Sequence, residues 1–195
     1  MTGVQTCALP IYIQFDPKQI LLMYFLNKDV IGGLYPLKNV NWGNIDKAIK
    51  RVGLSAIKPE NYPNIVSSFV INLEEGTSTM KIDEPQKVKF IGTGLLMIDR
   101  SVYAKFNENY PQYFYHPDHQ NTEHFNSSKT ITNFFPVEIE PESKRMLSED
   151  YYFCYLVRKM GIDIWCLPFM QTTHYGLFGY RGNLQALSNY VGELS

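Results

Sequence analysis

Two adjacent carboxylates, Glu149 and Asp150, directly follow Ser148 at the predicted start of a helix. Backbone N–H groups and the helix dipole favour the ionised form of an acid at such a position. An ionised carboxylate at the edge of a sheet is suited to act as a general base that takes the proton of a hydroxyl group. Acidic residues are also favoured at helix starts for structural reasons, so a purely stabilising role is open as well.

His174 is the second candidate, at the end of a short predicted strand after Thr172 and Thr173. A histidine here can be a hydrogen-bonded edge residue. It can also supply an imidazole ligand to Mn²⁺ or Mg²⁺ beside carboxylate oxygens. Gly92 and Gly94, between two apolar runs, indicate either a close backbone approach or a bulge.

A further histidine cluster lies in a polar, aromatic stretch at 111–141, which we predict to be a long loop or lid. It contains His116, Asp118, His119 and His124. With His174 and Arg181, the pair His116 and Asp118 outlines the facial triad of a non-haem iron oxygenase that uses a 2-oxoacid. A solvated polar lid is the alternative.

Periodicity and capping signals predict the elements that position these residues. Helices are expected at 16–27, 45–52, 148–160 and 184–191, and one through Val102, Phe106 and Tyr110 after the apolar run 95–98. Strands are expected at 30–31, 64–73, 87–91, 163–167 and 172–175. The alternation of strands and helices predicts an α/β fold with a mostly parallel sheet flanked by helices.

Composition limits the partners. The chain has 195 residues with a formal net charge of −1, which argues against nucleic acid as a partner. No apolar run approaches the roughly 20 residues that would span a bilayer. Cys7, Cys154 and Cys166 have no metal-binding spacing, and we expect reduced cysteines and a cytoplasmic protein.

The first eleven residues resemble the translation of a common sequencing adapter, a contaminant at the ends of metagenomic reads; a short native tail is the alternative. If the adapter supplies the first base of codon 12, the Tyr12 codon replaces a native codon for Asp, Asn, His or Tyr. We therefore expect a non-native segment at 1–11, followed by one domain over 12–195.

The remaining motifs together resemble bacterial and viral glycosyltransferases of the GT-A fold, related to family 2. The resemblance covers about 13–181. It is carried, in order, by residues 13–17 (IQFDP), 29–38 (DVIGGLYPLK), 92–100 (GTGLLMIDR), 148–154 (SEDYYFC), 161–165 (GIDIW) and 173–176 (THYG). It implies a Rossmann-like nucleotide-diphospho-sugar transferase fold, of which this chain is the C-terminal part.

In that family a D-x-D motif precedes the segment that matches Ile13, and its second Asp falls on position 12, where this chain has Tyr12. The family's Mn²⁺ or Mg²⁺ is held by that Asp and by a histidine that matches His174, and it neutralises the donor diphosphate. With Tyr12 in place, the resemblance implies an incomplete metal site and a chain that is inactive as it stands.

The resemblance also implies roles in moving a sugar from a nucleotide-sugar donor to the hydroxyl of a glycan, lipid-linked or protein acceptor. Asp150 is expected to be the general base of an inverting reaction, assisted by Glu149. Substrate-binding residues are expected to be Thr93 and Gly94 under the sugar or acceptor, Tyr35 and Lys38 on the acceptor side, and Tyr180 and Arg181 in a mobile segment over the diphosphate. Retaining chemistry, the iron oxygenase and a non-catalytic phage or bacterial binding module are the alternatives.

Overall fold

The computed structural model describes residues 6–8, 12–116, 130–177 and 179–191. Its helices are α1 (Pro17–Phe25), α2 (Gly43–Val52), α3 (Tyr62–Ile65), α4 (Arg100–Asn109), α5 (Glu149–Lys159) and α6 (Leu184–Val191). Five of them lie where periodicity predicts helices. Asp16 begins α1 with a capping box, in which its side chain accepts the Lys18 N–H and Gln19 reaches back to the Asp16 N–H.

The strands in the same ranges are short. They are β1 (Thr6–Ala8), β2 (Ile13–Phe15), β3 (Val30–Gly33), β4 (Asn72–Leu73), β5 (Gln86–Phe90), β6 (Leu96–Ile98), β7 (Phe114–Tyr115), β8 (Ile131–Thr132), β9 (Glu138–Ile139), β10 (Met146–Leu147), β11 (Ile164–Leu167), β12 (Gln171–Tyr175) and β13 (Gly179–Asn183). β1 lies in the segment whose sequence resembles an adapter, and it pairs with β6.

The fold is mixed α/β, and its central sheet is also mixed. Six strands are ordered β1-β6-β3-β11-β5-β4, and β3 with β11 is its one parallel pair in the described residues. The expectation of a mostly parallel sheet is therefore wrong. A parallel pair needs a long crossover connection, usually a helix, whereas β4, β5 and β6 follow one another without an α-helix between them.

The strand predicted at 64–73 is also wrong in most of its length. Its first part lies in α3, where Pro63 occupies the first turn, and only Asn72–Leu73 pairs in the sheet. Proline has no N–H to lose in the first turn of a helix, so it favours a helix start there. The Val- and Ile-rich composition of the segment reflects burial of Ile65 and not a strand.

Helices cover both faces of the sheet. Val30 contributes to a core that includes Phe106 of α4 and Phe153 of α5, whereas the next residue, Ile31, packs in a second cluster with Met23 of α1. This alternation is the two-residue period of a strand with both faces buried. A third, smaller cluster joins α2, α3 and their neighbours around Ala48 and Ile65.

Cys154 and Cys166 are buried free thiols in this core, as the sequence predicts. Burial raises the pKa of each thiol to about 12, so both remain protonated and act as small apolar side chains. Among the described helices, none combines the length and apolar character needed to cross a bilayer.

A second sheet, β13-β12-β2, lies beside the segment that follows β3. The Thr172 hydroxyl donates to the Leu34 carbonyl at 3.1 Å, and a Cβ added to Gly182 would lie 2.6 Å from Pro36 Cδ. These contacts bring the second sheet onto residues 34–36, which directly follow β3 of the central sheet. Residues 117–129 of the predicted lid lie outside the described residues. In its described part, the Phe135 ring packs on the Phe153 ring, with centroids 4.7 Å apart.

Candidate functional site

Asp150 lies in the first turn of α5, and its carboxylate is held on one side only. Its Oδ1 accepts a hydrogen bond from the Tyr151 N–H at 2.8 Å and another from the Ser148 hydroxyl. The Ser148 side chain makes no hydrogen bond to the backbone N–H groups of α5, so it orients Asp150 instead of capping the helix. No described residue makes a hydrogen bond to the other oxygen of Asp150, Oδ2. The side chain of the preceding residue, Glu149, is exposed.

Tyr35 lies against the glycines of the 92–94 turn. Its hydroxyl oxygen accepts the Gly94 N–H at 3.2 Å, and a Cβ added to Gly94 would lie 2.5 Å from the ring. A Cβ added to Gly92 would meet the same ring and would lie 3.4 Å from Asp150 Oδ2. The close backbone approach that the two glycines predict is therefore the packing of Tyr35. Thr93 is half-buried and begins a 3₁₀ turn whose other two residues are buried.

Asp150, Tyr151, Tyr35 and Gly92 line a small cleft of about 170 Å³. Burial raises the pKa of Tyr35, the Gly94 N–H opposes this shift, and the nearby charge of Asp150 adds to it. Tyr35 is thus a neutral phenol at pH 7 beside a carboxylate that has one open oxygen. The cleft can therefore present a proton acceptor and a neutral hydroxyl to the same ligand.

His174 is fixed by a backbone carbonyl. Its Nδ1 lies 2.9 Å from the Pro36 carbonyl oxygen, and its ring meets the Tyr35 ring edge to face with centroids 5.5 Å apart. Because a carbonyl only accepts, Nδ1 carries the proton, and in the neutral imidazole the lone pair is on Nε2. Among the described residues Nε2 has no partner. This arrangement is the usual one for a metal-ligating histidine.

The rest of the expected metal site does not fit Mn²⁺ or Mg²⁺. Tyr12 is half exposed and lies next to Ile13, the strand partner of His174, and its ring is 4.7 Å from the Lys38 ammonium. The described part of the chain contains no group of three His, Cys, Asp or Glu side chains that could hold a metal. One imidazole without a carboxylate is too few ligands for a hard cation.

Lys38 and Tyr180 lie on the same side as His174, whereas Arg181 is the strand partner of Thr173 and projects from the opposite face of this sheet. Tyr180 is the cross-strand partner of His174. A Cβ added to Gly176 would lie 3.2 Å from both Lys38 Cδ and Tyr180 Cε2. The Arg181 carbonyl accepts a hydrogen bond from the Ser67 hydroxyl, which ties β13 to the end of α3. The structure thus brings together seven of the expected site residues through a continuous series of contacts, namely Tyr12, Tyr35, Lys38, Gly94, Asp150, His174 and Tyr180.

The candidate oxygenase triad is only partly described. His116 is exposed at the end of β7, and Asp118, His119 and His124 lie outside the described residues. Sequence reasoning did not find the contributions of Ser148, Tyr151 and Pro36. Pro36 acts through its carbonyl from 138 positions away from His174, so no residue-type signal could reveal it. Tyr151 was detectable only as a neighbour of Asp150.

Comparison of the sequence with protein-family profiles and with curated proteins finds no match. Among solved structures, the fold is similar to A197 from STIV, with a TM-score of 0.39 and 12% sequence identity. The match covers 86% of this chain and 56% of A197, so the chain spans about half the length of that neighbour. A likeness of this degree carries no argument about function.

Proposed function

We propose that the chain is part of a GT-A-type glycosyltransferase that moves a sugar from a nucleotide-sugar donor to an acceptor hydroxyl, with inversion and with Asp150 as the general base. The observation that carries the proposal is the geometry of Asp150. Its Oδ1 is held by Ser148 and the Tyr151 N–H, and its Oδ2 faces the cleft beside Gly92 and has no hydrogen-bond partner among the described residues. A base must be fixed and must keep a lone pair free for the proton that it removes.

In this reaction the acceptor hydroxyl attacks the anomeric carbon while its proton passes to Asp150 Oδ2. A new C–O bond forms, the bond from the anomeric carbon to the donor phosphate breaks, and a nucleoside diphosphate leaves with the bonding electron pair. The Tyr35 hydroxyl, which remains neutral at pH 7, can donate a hydrogen bond to the acceptor. Glu149, the residue directly before Asp150, is exposed, and we assign it to acceptor binding.

One cationic side chain on the His174 side is suited to the diphosphate. Lys38 forms no ion pair with any described carboxylate. Positive charge aimed at a leaving diphosphate stabilises the negative charge that develops in the transition state. No step is assigned to Mn²⁺ or Mg²⁺, because the ligands in the described residues are incomplete.

The test is transfer from a panel of radiolabelled nucleotide-sugars, with Asp150→Asn compared with Glu149→Gln. Asp150→Asn keeps the shape and the hydrogen bond from Ser148 but removes the base, so transfer should fall by roughly two to four orders of magnitude. Glu149→Gln removes the same charge one residue away and should cost much less. The chain with Tyr12 is expected to be inactive, so Tyr12→Asp, which supplies a carboxylate at position 12, is assayed beside it. The Asp150 and Glu149 variants are compared in the background that transfers sugar.

Equal rates for Asp150→Asn and the parent would remove Asp150 from catalysis and favour the binding-module alternative. Absence of transfer from every donor in both parent chains would contradict the proposed activity for this chain. Circular dichroism and thermal melting of each variant separate loss of the base from loss of the fold.

A further inference from the structure

A larger cavity lies next to the candidate site, between the segment that follows β3, α3 and β13. Its volume is about 590 Å³, and its lining is dominated by Val40, Trp42, Ile45, Tyr62, Val66 and Tyr180. Small-molecule sites commonly measure about 300–1,000 Å³ and are lined mainly by apolar and aromatic side chains. Trp42 is 71% exposed at this cavity, which is unusual for so large an apolar side chain.

The cavity offers few polar groups to a ligand. Apart from the aromatic residues, its polar side chains are those of Asn39, Ser67 and Arg181. The Ser67 hydroxyl is already engaged by the carbonyls of Pro63 and Arg181. A saccharide would need several hydrogen-bonding partners for its hydroxyl groups, because an unpaired buried hydroxyl costs free energy. The lining therefore favours an apolar chain over a sugar.

The walls of the cavity are fixed before any ligand binds. The Leu37 N–H donates to the Ser68 carbonyl and the Asn41 N–H to the Val66 carbonyl, both at 2.8 Å. The buried Asn44 side chain donates to the Ser67 carbonyl at 3.1 Å. These bonds hold the segment before α2 against the end of α3, so a ligand meets a preformed surface and loses little affinity to ordering.

The charge at this cavity is positive. Arg181 belongs to the lining, is exposed and has no ion-pair partner among the described residues, and no acidic residue lines the cavity. An apolar chain that ends in an anionic group matches this combination of an apolar lining and one cation without an ion-pair partner.

The cavity is connected to the Asp150 cleft by successive contacts. Tyr180 lines the cavity and is the strand partner of His174, whose ring meets Tyr35 at 5.5 Å. Tyr35 in turn lines the cleft with Asp150. The cavity and the cleft are therefore separated by the side chains of Tyr180, His174 and Tyr35, and an acceptor held in the cavity would extend past them to reach Asp150.

We propose that this cavity binds the apolar chain of an anionic amphiphile, with the anionic group on Arg181. The binding site stands on the cavity and this charge alone. Its role as the place where a lipid-linked acceptor is held, with the reacting hydroxyl directed to Asp150, rests on the proposed function. This narrows the acceptor from a glycan, lipid or protein to a lipid-linked molecule.

The probe is decyl phosphate below its micellar concentration, added to the full chain. The chain has two tryptophans, so Trp165→Phe leaves Trp42 as the single fluorescent reporter. Binding should shift Trp42 emission to shorter wavelength in a saturable manner, because the apolar chain displaces water from an exposed indole. Inorganic phosphate should cause no shift, since it lacks the chain, and decyl maltoside should bind more weakly because it lacks the charge.

Two matched variants test the contacts. Arg181→Gln should weaken decyl phosphate about three- to fivefold and leave decyl maltoside unchanged, as expected for one exposed charge pair. Arg100→Gln removes the same charge at the start of α4 and should have no effect. Trp42→Ala, measured by titration calorimetry, should weaken both amphiphiles up to about tenfold, because an aromatic contact is lost.

A Trp42 emission that does not saturate, or equal affinities for Arg181→Gln and Arg100→Gln, would overturn the proposed site. The proposal would also be overturned if the chain bound anionic vesicles but not monomeric decyl phosphate, and if Trp42→Ala left the vesicle binding unchanged. That result would indicate binding to a membrane surface. Because these titrations involve no turnover, saturable binding in a chain that transfers no sugar would keep the site and remove only its role in holding an acceptor.

Discussion

At the scale of single residues, Gly94 and Tyr35 form a tightly packed pair next to Asp150. A Cβ at Gly94 would lie 2.5 Å from the Tyr35 ring, closer than carbon atoms approach in folded proteins. We expect Gly94→Ala to destabilise the fold by about 1–3 kcal/mol, the usual cost of overpacking, and to move the Tyr35 ring within the cleft. Urea unfolding of the parent and of Gly94→Ala measures the difference in the free energy of unfolding.

The partner substitution makes this prediction specific. Tyr35→Ala removes the ring that the new methyl group would meet, so Gly94→Ala should cost much less in the Tyr35→Ala background. The coupling energy from the double-mutant cycle should have the magnitude of the clash. If the two substitutions are additive, Gly94 is not required by Tyr35, and a different cause for the glycine must be sought.

A second residue-scale prediction concerns position 12. Tyr12 supplies no carboxylate beside His174, so the parent chain should show no specific binding of Mn²⁺ in a calorimetric titration. Tyr12→Asp adds a hard oxygen ligand next to the strand partner of His174, and we expect saturable Mn²⁺ binding to appear.

The matched control is Tyr24→Asp, which places the same charge at an exposed tyrosine of α1. It should bind no Mn²⁺, and the combination of Tyr12→Asp with His174→Ala should return to the level of the parent chain. Binding that survives the loss of His174 would show that the imidazole is not a ligand. The assignment of His174 as a metal ligand would then be wrong.

The candidate site could be predicted from the sequence only in part. Asp150 and His174 could be found, because a carboxylate at a helix start and a histidine at a strand end are local signals. The contacts that orient them could not be found in this way. The Ser148 hydroxyl bonds the Asp150 carboxylate and not the helix backbone, and His174 is oriented by the Pro36 carbonyl, which any residue type could supply.

At the scale of elements, helix α4 begins with a side-chain cap. Asp99 Oδ1 accepts the Ser101 N–H at 2.8 Å, and the hydrogen bonds from the Ser101 hydroxyl and N–H lower the pKa of Asp99. We expect Asp99→Ala to destabilise the protein by about 1 kcal/mol at pH 7, measured by urea unfolding. Glu108→Ala removes a carboxylate from the other end of the same helix and should cost much less.

The difference in the free energy of unfolding between the parent and Asp99→Ala should depend on pH, and its direction follows from the lowered pKa of Asp99. Because the folded-state pKa of Asp99 lies below its unfolded value of about 3.9, the cap stabilises the fold fully above that pH. The stabilisation is lost as the pH falls through the folded-state pKa. The gap between the parent and Asp99→Ala should therefore narrow below about pH 4, and a gap that stays constant to lower pH would contradict a charged cap.

Local signals predicted helices better than they predicted sheet pairing. Asp16 with Pro17, and Gly161 after α5, mark helix ends through backbone requirements that act within a few residues. Strand direction instead depends on partners far away in the chain: β11 lies between β3 and β5, parallel to one and antiparallel to the other. The residue types of β11 do not indicate whether a neighbouring strand will be parallel or antiparallel to it.

At the scale of the whole molecule, α1 carries an apolar surface that the rest of the described chain leaves open. Leu21 is 58% exposed and Phe25 76% exposed, and the exposed Leu22 and Tyr24 extend the same surface. Residues four apart lie on one face of a helix, so Leu21 and Phe25 form a contiguous patch. Contiguous exposed apolar patches promote association.

We therefore expect the chain to self-associate in a concentration-dependent manner in sedimentation velocity experiments. Leu21→Lys combined with Phe25→Lys should shift the chain towards monomer, because charge replaces apolar side chains that are more than half exposed in the described structure. Leu54→Lys is the matched control, since Leu54 is 60% exposed but lies outside α1. If the Leu54 variant and the double variant sediment alike, association does not depend on α1. The unpaired edges of the central sheet would then be the surfaces to test, because an exposed strand offers its free backbone N–H and carbonyl groups to another chain.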